Sequence, residues 1–209
     1  MTRNRIRIAI AKGRIATEAS DLIKESGFDL DEVFNSRKLR LQNKLGSYEL
    51  ILLKASDIPL YVQEGAVDVG IVGKDTVIES NHLVYELCEL DMAYCTLCLA
   101  GPIEPVKLEN GVKVATKYPR LAQQFLTDRG IKAEILSLSG SIEIAPLINL
   151  SDYIVDLVQT GDTLRENGLV VYDTFLKIRP LVIVNPISYR TKAVAVRNFI
   201  KICERYGVT

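Results

Sequence analysis

Near its start the chain reads Arg5-Ile6-Arg7-Ile8-Ala9-Ile10-Ala11-Lys12-Gly13-Arg14. The apolar residues of this segment predict a buried strand, and the two cations around a glycine predict a loop directly after it. In residues 15–26 the apolar side chains recur at helical spacing, and Gly27 provides a stop signal. Strand, loop and helix form one βα unit, and a series of such units is typical of an α/β fold.

The same rhythm continues along the 209 residues of the chain and predicts mostly parallel sheets that are flanked by helices. Further strands are predicted at residues 48–54, 67–72, 112–116, 133–138, 153–158, 169–176 and 180–185. Further helices are predicted to begin near residues 56, 73, 119, 141 and 188, and the last runs to residue 206. Ser56 is the predicted cap of its helix, with Pro59 in the first turn. The basic run at residues 37–40 predicts an edge strand, although its cations also suit a polyphosphate.

The rhythm breaks at Leu99-Ala100-Gly101-Pro102 and then restarts, which predicts two lobes. The predicted first lobe contains residues 1–98 and 178–209, and the second contains residues 99–177. In this division the last strand and the last helix return to the first lobe, which periodicity alone does not establish.

Composition narrows the possible functions. The chain has 26 Lys and Arg residues against 26 Asp and Glu residues, so it lacks the basic excess of a sequence-independent nucleic-acid binder. The first apolar run ends at Lys12, too early for the core of a signal peptide. No segment approaches the roughly 18 to 20 apolar residues of a membrane helix. We therefore expect a cytoplasmic protein that binds neither nucleic acid nor membrane.

The chain contains four cysteines, at positions 88, 95, 98 and 203. Cys95 and Cys98 form a C-x-x-C pattern, which occurs in zinc and redox sites. Because the pair lies in an apolar run that predicts a buried strand, the interpretation we favour is two core thiols. A metal site formed by His82, Cys88, Cys95 and Cys98 is the alternative.

The segment richest in chemical signals reads Asp152-Tyr153-Ile154-Val155-Asp156-Leu157-Val158-Gln159-Thr160-Gly161-Asp162-Thr163-Leu164. An apolar strand leads directly into a turn that contains Gly161, which permits a positive φ or the close approach of a ligand. Thr160 and Thr163 offer hydroxyl groups, and the amides at the start of the next helix favour an anion. The segment predicts a monophosphate site, and a strand followed by an ordinary capped turn is the other interpretation.

The acidic residues of this segment have a separate predicted role, because a phosphate repels a carboxylate. Asp156 and Asp162 suit ribose hydroxyls, a magnesium ion or the positive charge that develops on a sugar when its leaving group departs. Both are therefore candidate catalytic residues.

Two other loops are candidates for binding phosphate groups. Lys12, Gly13 and Arg14 follow a predicted strand at its carboxyl end, where open α/β sheets bind ligands, and arginine can grip a pyrophosphate with two hydrogen bonds. Gly73, Lys74 and Asp75 likewise follow the strand that begins near Asp68. Taken singly, each loop is equally typical of an ordinary βα turn.

In their order and spacing these segments resemble the ATP phosphoribosyltransferase family over nearly the full chain. The matching pieces are Ile8-Ala9-Ile10-Ala11-Lys12-Gly13-Arg14, Asp57-Ile58-Pro59, Gly65 through Asp75, Val114-Ala115-Thr116-Lys117-Tyr118-Pro119, Ser139-Gly140-Ser141-Ile142-Glu143-Ile144-Ala145-Pro146 and Ile154 through Gly168. The resemblance implies two lobes like those of type II periplasmic binding proteins, with the active site in the cleft.

The resemblance also implies roles for single residues. It places the 5-phosphate of phosphoribosyl pyrophosphate on the loop formed by Thr160, Gly161, Asp162, Thr163 and Leu164, with Asp156 close to the ribose. Pyrophosphate or nucleotide phosphates are implied at Lys12, Gly13 and Arg14, and the nucleotide at Asp68, Gly73, Lys74 and Asp75. Mg²⁺ is expected with the phosphates, and its ligands are not identified.

The length of the chain makes it similar to short-form members, which lack the additional C-terminal regulatory domain of the long form. The resemblance then implies a regulatory subunit similar to histidyl-tRNA synthetase, and a homodimer of this chain within a hetero-oligomer. N1 of ATP would attack the anomeric carbon and pyrophosphate would leave, in the first step of histidine biosynthesis. Arg14 would offset the charge on the leaving group, and Asp156 or Asp162 the charge on the sugar.

Two other functions remain open at this stage. A phosphoribosyltransferase that uses a free base also has a Thr-Gly loop after a strand, usually preceded by adjacent acidic residues, whereas Asp156 is followed by Leu157. A binding module without enzymatic activity is the second alternative, because residues 65–71 resemble segments of solute-binding proteins. That interpretation does not explain Thr160 and Thr163.

Overall fold

The computed structural model describes residues 5–208, which form two compact units. The second unit is Tyr94–Ile178, and the first contains the chain up to Ala93 and from Arg179 onward. The predicted limits lay at residues 98 and 178, and the assignments of residues 1–4 and 209 lie outside the described part. The predicted break at Leu99–Pro102 is wrong, because a single strand runs through it, from Cys95 to Pro102.

The strands within residues 5–208 are β1 (Ile6–Ala11), β2 (Arg40–Gln42), β3 (Tyr48–Leu53), β4 (Val69–Gly73), β5 (Tyr85–Glu89), β6 (Cys95–Pro102), β7 (Lys113–Thr116), β8 (Glu134–Ser137), β9 (Tyr153–Val158), β10 (Leu169–Ile178) and β11 (Pro180–Val184). The helices are α1 (Arg14–Glu18), α2 (Ser20–Glu25), α3 (Leu30–Asn35), α4 (Ile58–Gln63), α5 (Lys74–Ser80), α6 (Pro119–Thr127), α7 (Ile144–Leu147), α8 (Asp162–Glu166), α9 (Pro186–Thr191) and α10 (Ala193–Glu204). None of the helices in this range is long and apolar enough to cross a membrane.

Each unit is built on one sheet. The first sheet has the order β2-β3-β1-β4-β11-β5, and the second has the order β10-β6-β9-β7-β8. The parallel strands are β3-β1-β4 at the centre of the first sheet and β9-β7-β8 at one side of the second sheet, and the other neighbouring strands pair antiparallel. Because two successive antiparallel pairings restore the direction, β5 and β10 run with the parallel strands. The predicted α/β fold with mostly parallel sheets is confirmed.

Apolar side chains of the strands face helices on both sides of each sheet. In the first unit, one face of β1 packs on α1, α2 and α10 through Ile8, Leu22 and Phe199, and the other face packs on α4 and α5. In the second unit, α6 covers one face and α7 and α8 cover the other. The strand β11 lies between β4 and β5, so the last strand and the helix after it belong to the first unit.

Two helices that periodicity predicts as continuous are each interrupted at one residue. The helix predicted at residues 15–26 is interrupted at Ala19, which is fully buried. The helix predicted at residues 188–206 is interrupted at Lys192, whose ammonium group binds the Asp68 carboxylate and the Arg5 carbonyl. The predicted cap at Ser56 is also wrong, because its hydroxyl donates to Asp57 and α4 begins only at Ile58, after a 3-10 turn.

Candidate active site

The carboxyl ends of the parallel strands β7, β8 and β9 share one edge of the second sheet. Beside this edge lies a pocket of about 240 Å³. Its lining consists of Glu143, Asp156, Leu157, Val158, Gln159, Thr160, Gly161, Asp162, Thr163 and Leu164. All six residues predicted to bind the phosphoribosyl group therefore lie around one pocket.

The turn between β9 and α8 depends on the conformation of Gly161. Its φ of 79° lies in the left-handed region, which glycine adopts at little cost. Its carbonyl accepts the first hydrogen bond of α8, from the Arg165 amide at 3.0 Å. The amides that precede Arg165 in the first helical turn have no acceptor within the helix, so this end of α8 offers backbone donors to an anion.

Asp162 helps to order this turn. It accepts a hydrogen bond from the Thr160 hydroxyl and forms an ion pair with Arg165. The Thr160 hydroxyl and the charge of Arg165 outweigh partial desolvation, so the pKa of Asp162 lies below its usual value. The carboxylate is thus ionised at neutral pH, and its charge is partly offset by Arg165.

Besides Asp162, two carboxylates from different elements line the pocket. Asp156 is half-buried near the end of β9, and its Oδ1 accepts from the Leu157 amide at 2.8 Å. Glu143 stands directly before α7 and lines the same pocket. Sequence reasoning did not select Glu143, although it belongs to the segment from Ser139 to Pro146 on which the family resemblance rests.

The first unit holds the second group of candidates at the carboxyl edge of its own sheet. Lys12, Gly13 and Arg14 follow β1 and are exposed, and Gly13 has a φ of 98°. Because Leu53 lies opposite Ala11 in the β1–β3 ladder, the residues that follow β3 reach the same edge. Lys54 is exposed there and was missed, because its position depends on the pairing of β3 with β1.

The segment Gly73-Lys74-Asp75 also lies at this edge, but its charged side chains are directed to protein groups. The Lys74 ammonium group lies 2.5 Å from the Glu89 carboxylate on β5. Asp75 is 5% exposed and folds back over Gly73, where a Cβ atom would lie 2.2 Å from its Oδ1. Gly73 therefore leaves the space that this carboxylate fills.

Asp68 does not join this group. It precedes β4, whereas Gly73 ends β4, so the two lie at opposite edges of the sheet, roughly 15 Å apart at the rise of a strand. Asp68 is 1% exposed and accepts hydrogen bonds from Ser188, Lys192 and the Arg7 amide. Its predicted nucleotide contact is corrected to a structural one, because a saturated buried carboxylate is not accessible to a ligand.

The C-x-x-C pair lies inside β6. Cys95 and Cys98 are buried, and positions three apart on a strand point to opposite faces of the sheet. Within residues 5–208, no group of three or more His, Cys, Asp and Glu side chains is arranged to hold a metal ion. The prediction of core thiols is confirmed by their burial, and the alternative four-residue metal site is not formed.

Comparison with known proteins identifies the family. The family model described as HisG, ATP phosphoribosyltransferase, matches residues 54–205. An ATP phosphoribosyltransferase of Alkaliphilus metalliredigens is 40% identical over 98% of this chain and 99% of its own length. The chain belongs to the ATP phosphoribosyltransferase family. It is a transferase of the type that carries out the first step of histidine biosynthesis.

Other relatives and solved structures agree with this assignment. The ATP phosphoribosyltransferase of Bacillus licheniformis is 46% identical over 88% of this chain and 87% of its own length. The structure titled ATP phosphoribosyl transferase (HisG:HisZ) complex from Thermotoga maritima superimposes with a TM-score of 0.82 and 30% identity, covering 96% of this chain and 98% of that chain. The resemblance to short-form ATP phosphoribosyltransferases is confirmed, because the aligned chains agree over almost their full lengths.

The expected similarity to periplasmic binding proteins is confirmed at the level of the fold. The aliphatic sulphonate binding protein SsuA of Escherichia coli superimposes with a TM-score of 0.64, covering 97% of this chain and 72% of that chain. The identity is 13%, so the likeness concerns the architecture alone.

ATP phosphoribosyltransferases generally use metal ions, and the carboxylates of Glu143 and Asp156 are suitable oxygen ligands in one pocket.

Proposed function

We propose that the chain transfers the phosphoribosyl group of phosphoribosyl pyrophosphate to N1 of ATP, and that the pocket at the end of β9 binds the phosphoribosyl donor. The observation that carries the proposal is the convergence of Asp156, Gly161 and Thr163 on one pocket of about 240 Å³. This volume is below the roughly 300 to 1,000 Å³ of sites for drug-sized ligands and can hold a sugar phosphate.

The 5-phosphate is assigned to the turn at the start of α8. Its donors are the backbone amides of Thr163 and Leu164 and the Thr163 hydroxyl. The Thr160 hydroxyl donates to Asp162, so it serves the phosphate only after changing its partner. Asp162 supports the shape of the turn, because its carboxylate joins Thr160 to Arg165.

The ribose is assigned to Asp156, with Glu143 as a further carboxylate of the pocket. Ionised carboxylates accept hydrogen bonds from sugar hydroxyls and stabilise the positive charge that develops at the anomeric carbon. Mg²⁺ is the proposed metal, because it commonly binds through one or two carboxylates together with substrate phosphates. When bound, it would neutralise phosphate charge, and Glu143 and Asp156 are the residues available to hold it.

The nucleotide or pyrophosphate is assigned to Lys12, Gly13 and Arg14 of the first unit, which are exposed at the carboxyl edge of the sheet. A guanidinium group matches the geometry of phosphate oxygens and offsets the charge of a leaving pyrophosphate. N1 of adenine is a neutral nucleophile, so the reaction requires no strong general base. Positioning and electrostatic stabilisation would then supply most of the catalysis.

We also propose that the chain forms a homodimer, works with a regulatory subunit similar to histidyl-tRNA synthetase and is located in the cytoplasm. The HisG:HisZ complex of the Thermotoga maritima relative supports a second type of subunit. Light scattering on the purified chain tests the dimer, and a monomer at micromolar concentration would contradict it. Fractionation of cells tests the location, which a membrane-bound or secreted protein would contradict.

The main test is calorimetric titration of the full chain with phosphoribosyl pyrophosphate and Mg²⁺, with Gly161→Ala beside the wild type. A Cβ atom at Gly161 has space, since the nearest atom is 3.6 Å away, but alanine at a φ of 79° is strained. We expect saturable binding by the wild type and a loss of roughly tenfold or more in affinity for the variant, equivalent to the roughly 1–2 kcal/mol per residue of left-handed backbone.

Gly130→Ala provides the matched control. Gly130 has a φ of 72° with nothing within 4 Å of an added Cβ atom, and it follows α6 in the same unit. It carries similar backbone strain, so a similar loss of stability is expected without a loss of donor affinity. Equal losses of affinity in both variants would assign the effect to strain alone, and no binding by the wild type would remove the proposed function.

A further inference from the structure

The carboxyl end of β9 extends beyond its neighbour on one side. The ladder between β7 and β9 ends at the pair Thr116 and Val155, whereas the ladder between β6 and β9 continues to the pair Thr96 and Val158. Within residues 5–208, β6 is therefore the only strand that pairs with residues 156–158. These three residues line the pocket to which the phosphoribosyl donor is assigned.

A threonine hydroxyl binds β9 at the point where β7 ends. Thr116 is fully buried, and its Oγ1 donates to the Val155 carbonyl at 2.6 Å. The same Oγ1 accepts a hydrogen bond from the Tyr118 amide at 2.9 Å, so it also shapes the start of α6. Without this hydroxyl, a buried carbonyl and an amide would each lose a partner.

A second threonine acts on the other side of the strand. Thr96 on β6 donates its hydroxyl to the Val158 carbonyl at 3.2 Å, and its Oγ1 lies 3.3 Å from the Cys98 sulfur. Cys98 is the cross-strand partner of Asp156, so this contact lies directly beside the candidate ribose ligand. The two hydroxyls thus hold the carbonyls that precede Asp156 and Gln159.

These contacts determine more than two carbonyl positions. Because a peptide group is planar, a fixed Val155 carbonyl also fixes the plane that contains the Asp156 amide. In the same way, the Val158 carbonyl fixes the plane of the Gln159 amide, at which the phosphate turn begins. The residues that support a binding site must hold its groups within about 0.5 Å and roughly 10–20° of the productive geometry.

We propose that the Thr96 and Thr116 hydroxyls are positioning groups for the donor pocket, which hold the end of β9 so that Asp156 and the turn at Gly161 are oriented before the ligand binds. The inference rests on the proposed function, since it assigns phosphoribosyl pyrophosphate to this pocket. Neither threonine contacts the substrate in this role, and both act through the backbone of β9.

The test compares Thr116→Val and Thr96→Val by calorimetric titration of the full chain with phosphoribosyl pyrophosphate and Mg²⁺, and separately with ATP. Valine keeps the shape of threonine and removes the hydroxyl. We expect donor affinity to fall about tenfold in each variant, equivalent to about 1.4 kcal/mol, with ATP affinity unchanged. Circular dichroism and chemical denaturation establish that each variant is folded.

Three further variants separate positioning from general packing. Thr116→Ser and Thr96→Ser retain the hydroxyl, so donor affinity should stay within about threefold of the wild type. Ser26→Ala removes a buried hydroxyl that donates to the Leu22 carbonyl at 2.8 Å in the first unit, and it should leave donor affinity unchanged. If Thr116→Val does not fold, the half-buried Thr96 still provides the comparison of valine with serine.

The outcomes distinguish the inference from the function on which it rests. Wild-type binding with folded valine variants that bind the donor equally well would overturn the positioning role and leave the proposed function in place. Equal weakening of donor and ATP binding would also overturn it, because it indicates a general loss of packing. Absence of donor binding by the wild type would reject the proposed function itself.

Discussion

The two units carry similar signals in sequence but use them differently. In the second unit, the strand β9 and the turn at Gly161 bring every predicted phosphoribosyl-binding residue to one pocket. In the first unit, the predicted residues separate. Lys12 and Arg14 are exposed at the carboxyl edge of the sheet, Lys74 pairs with Glu89, and Asp68 is buried at the opposite edge.

The difference teaches that a compact motif predicts a site better than scattered charges do. Residues 156–164 are adjacent in the chain, so local geometry alone places them together. Asp68 and Lys74 have their partners at distant positions, Lys192 and Glu89, which no local pattern reveals. The comparison can be tested at four positions of the first unit.

The largest effect is expected for Asp68→Ala, which should cost roughly 3 to 5 kcal/mol in the free energy of unfolding, because it leaves Lys192 and Arg7 without their buried partner. Urea denaturation measures the change. Lys38→Ala is the control, since it breaks an exposed pair with Glu32 and should cost less than about 1 kcal/mol. A loss for Asp68→Ala similar to that of the control would mean that the buried network is not structural.

The same variant should have a characteristic dependence on pH. Burial alone would raise the pKa of Asp68, but hydrogen bonds from Lys192, Ser188 and the Arg7 amide, with the charge of Lys192, lower it. A carboxylate whose pKa is lower in the folded protein stabilises the fold at pH values above its unfolded pKa of about 3.9. This contribution is lost as the pH falls through the pKa of the folded state. The stability difference between wild type and Asp68→Ala should thus be constant from about pH 5 to 7 and shrink below about pH 4.

The next effect compares two cations of the first unit in the complete enzyme. Arg14→Ala should raise the activation free energy by roughly 3 kcal/mol, because its charge stabilises the leaving pyrophosphate. This corresponds to a fall in kcat of more than about a hundredfold. Lys74→Ala should change kcat by less than about threefold, because its ammonium group is already paired with Glu89. Steady-state kinetics at saturating substrates measures both. A loss below tenfold for Arg14→Ala would refute the leaving-group role.

The smallest effect is expected for Gly73→Ala, at about 1 to 3 kcal/mol of stability, because the added Cβ atom would meet Asp75 Oδ1 at 2.2 Å and displace a buried carboxylate. Thermal denaturation measures the change against Gly140→Ala, where nothing lies within 4 Å of the added atom. An equal effect in the two variants would show that Asp75 moves away without cost, and that Gly73 is not required for packing.

Local patterns in the sequence determined the alternation of strands and helices and the loop of the second unit. The strand at residues 153–158 has the predicted limits, because its apolar run is bounded by polar residues on both sides. The glycine and threonines after it are chemically specific and adjacent, so the turn at Gly161 was predictable from the chain alone. The family resemblance rests on the same short-range information, namely the order and spacing of motifs.

Tertiary structure alone decided how the elements join and which charged residues remain accessible. It interrupted the predicted last helix at Lys192, whose ammonium group binds Asp68, and it brought Glu143 to the pocket of Asp156. The Thr116 hydroxyl reaches the Val155 carbonyl across 39 positions, and Lys192 reaches Asp68 across 124. Periodicity reports which face of an element is apolar, whereas these contacts depend on which elements become neighbours in the folded sheet.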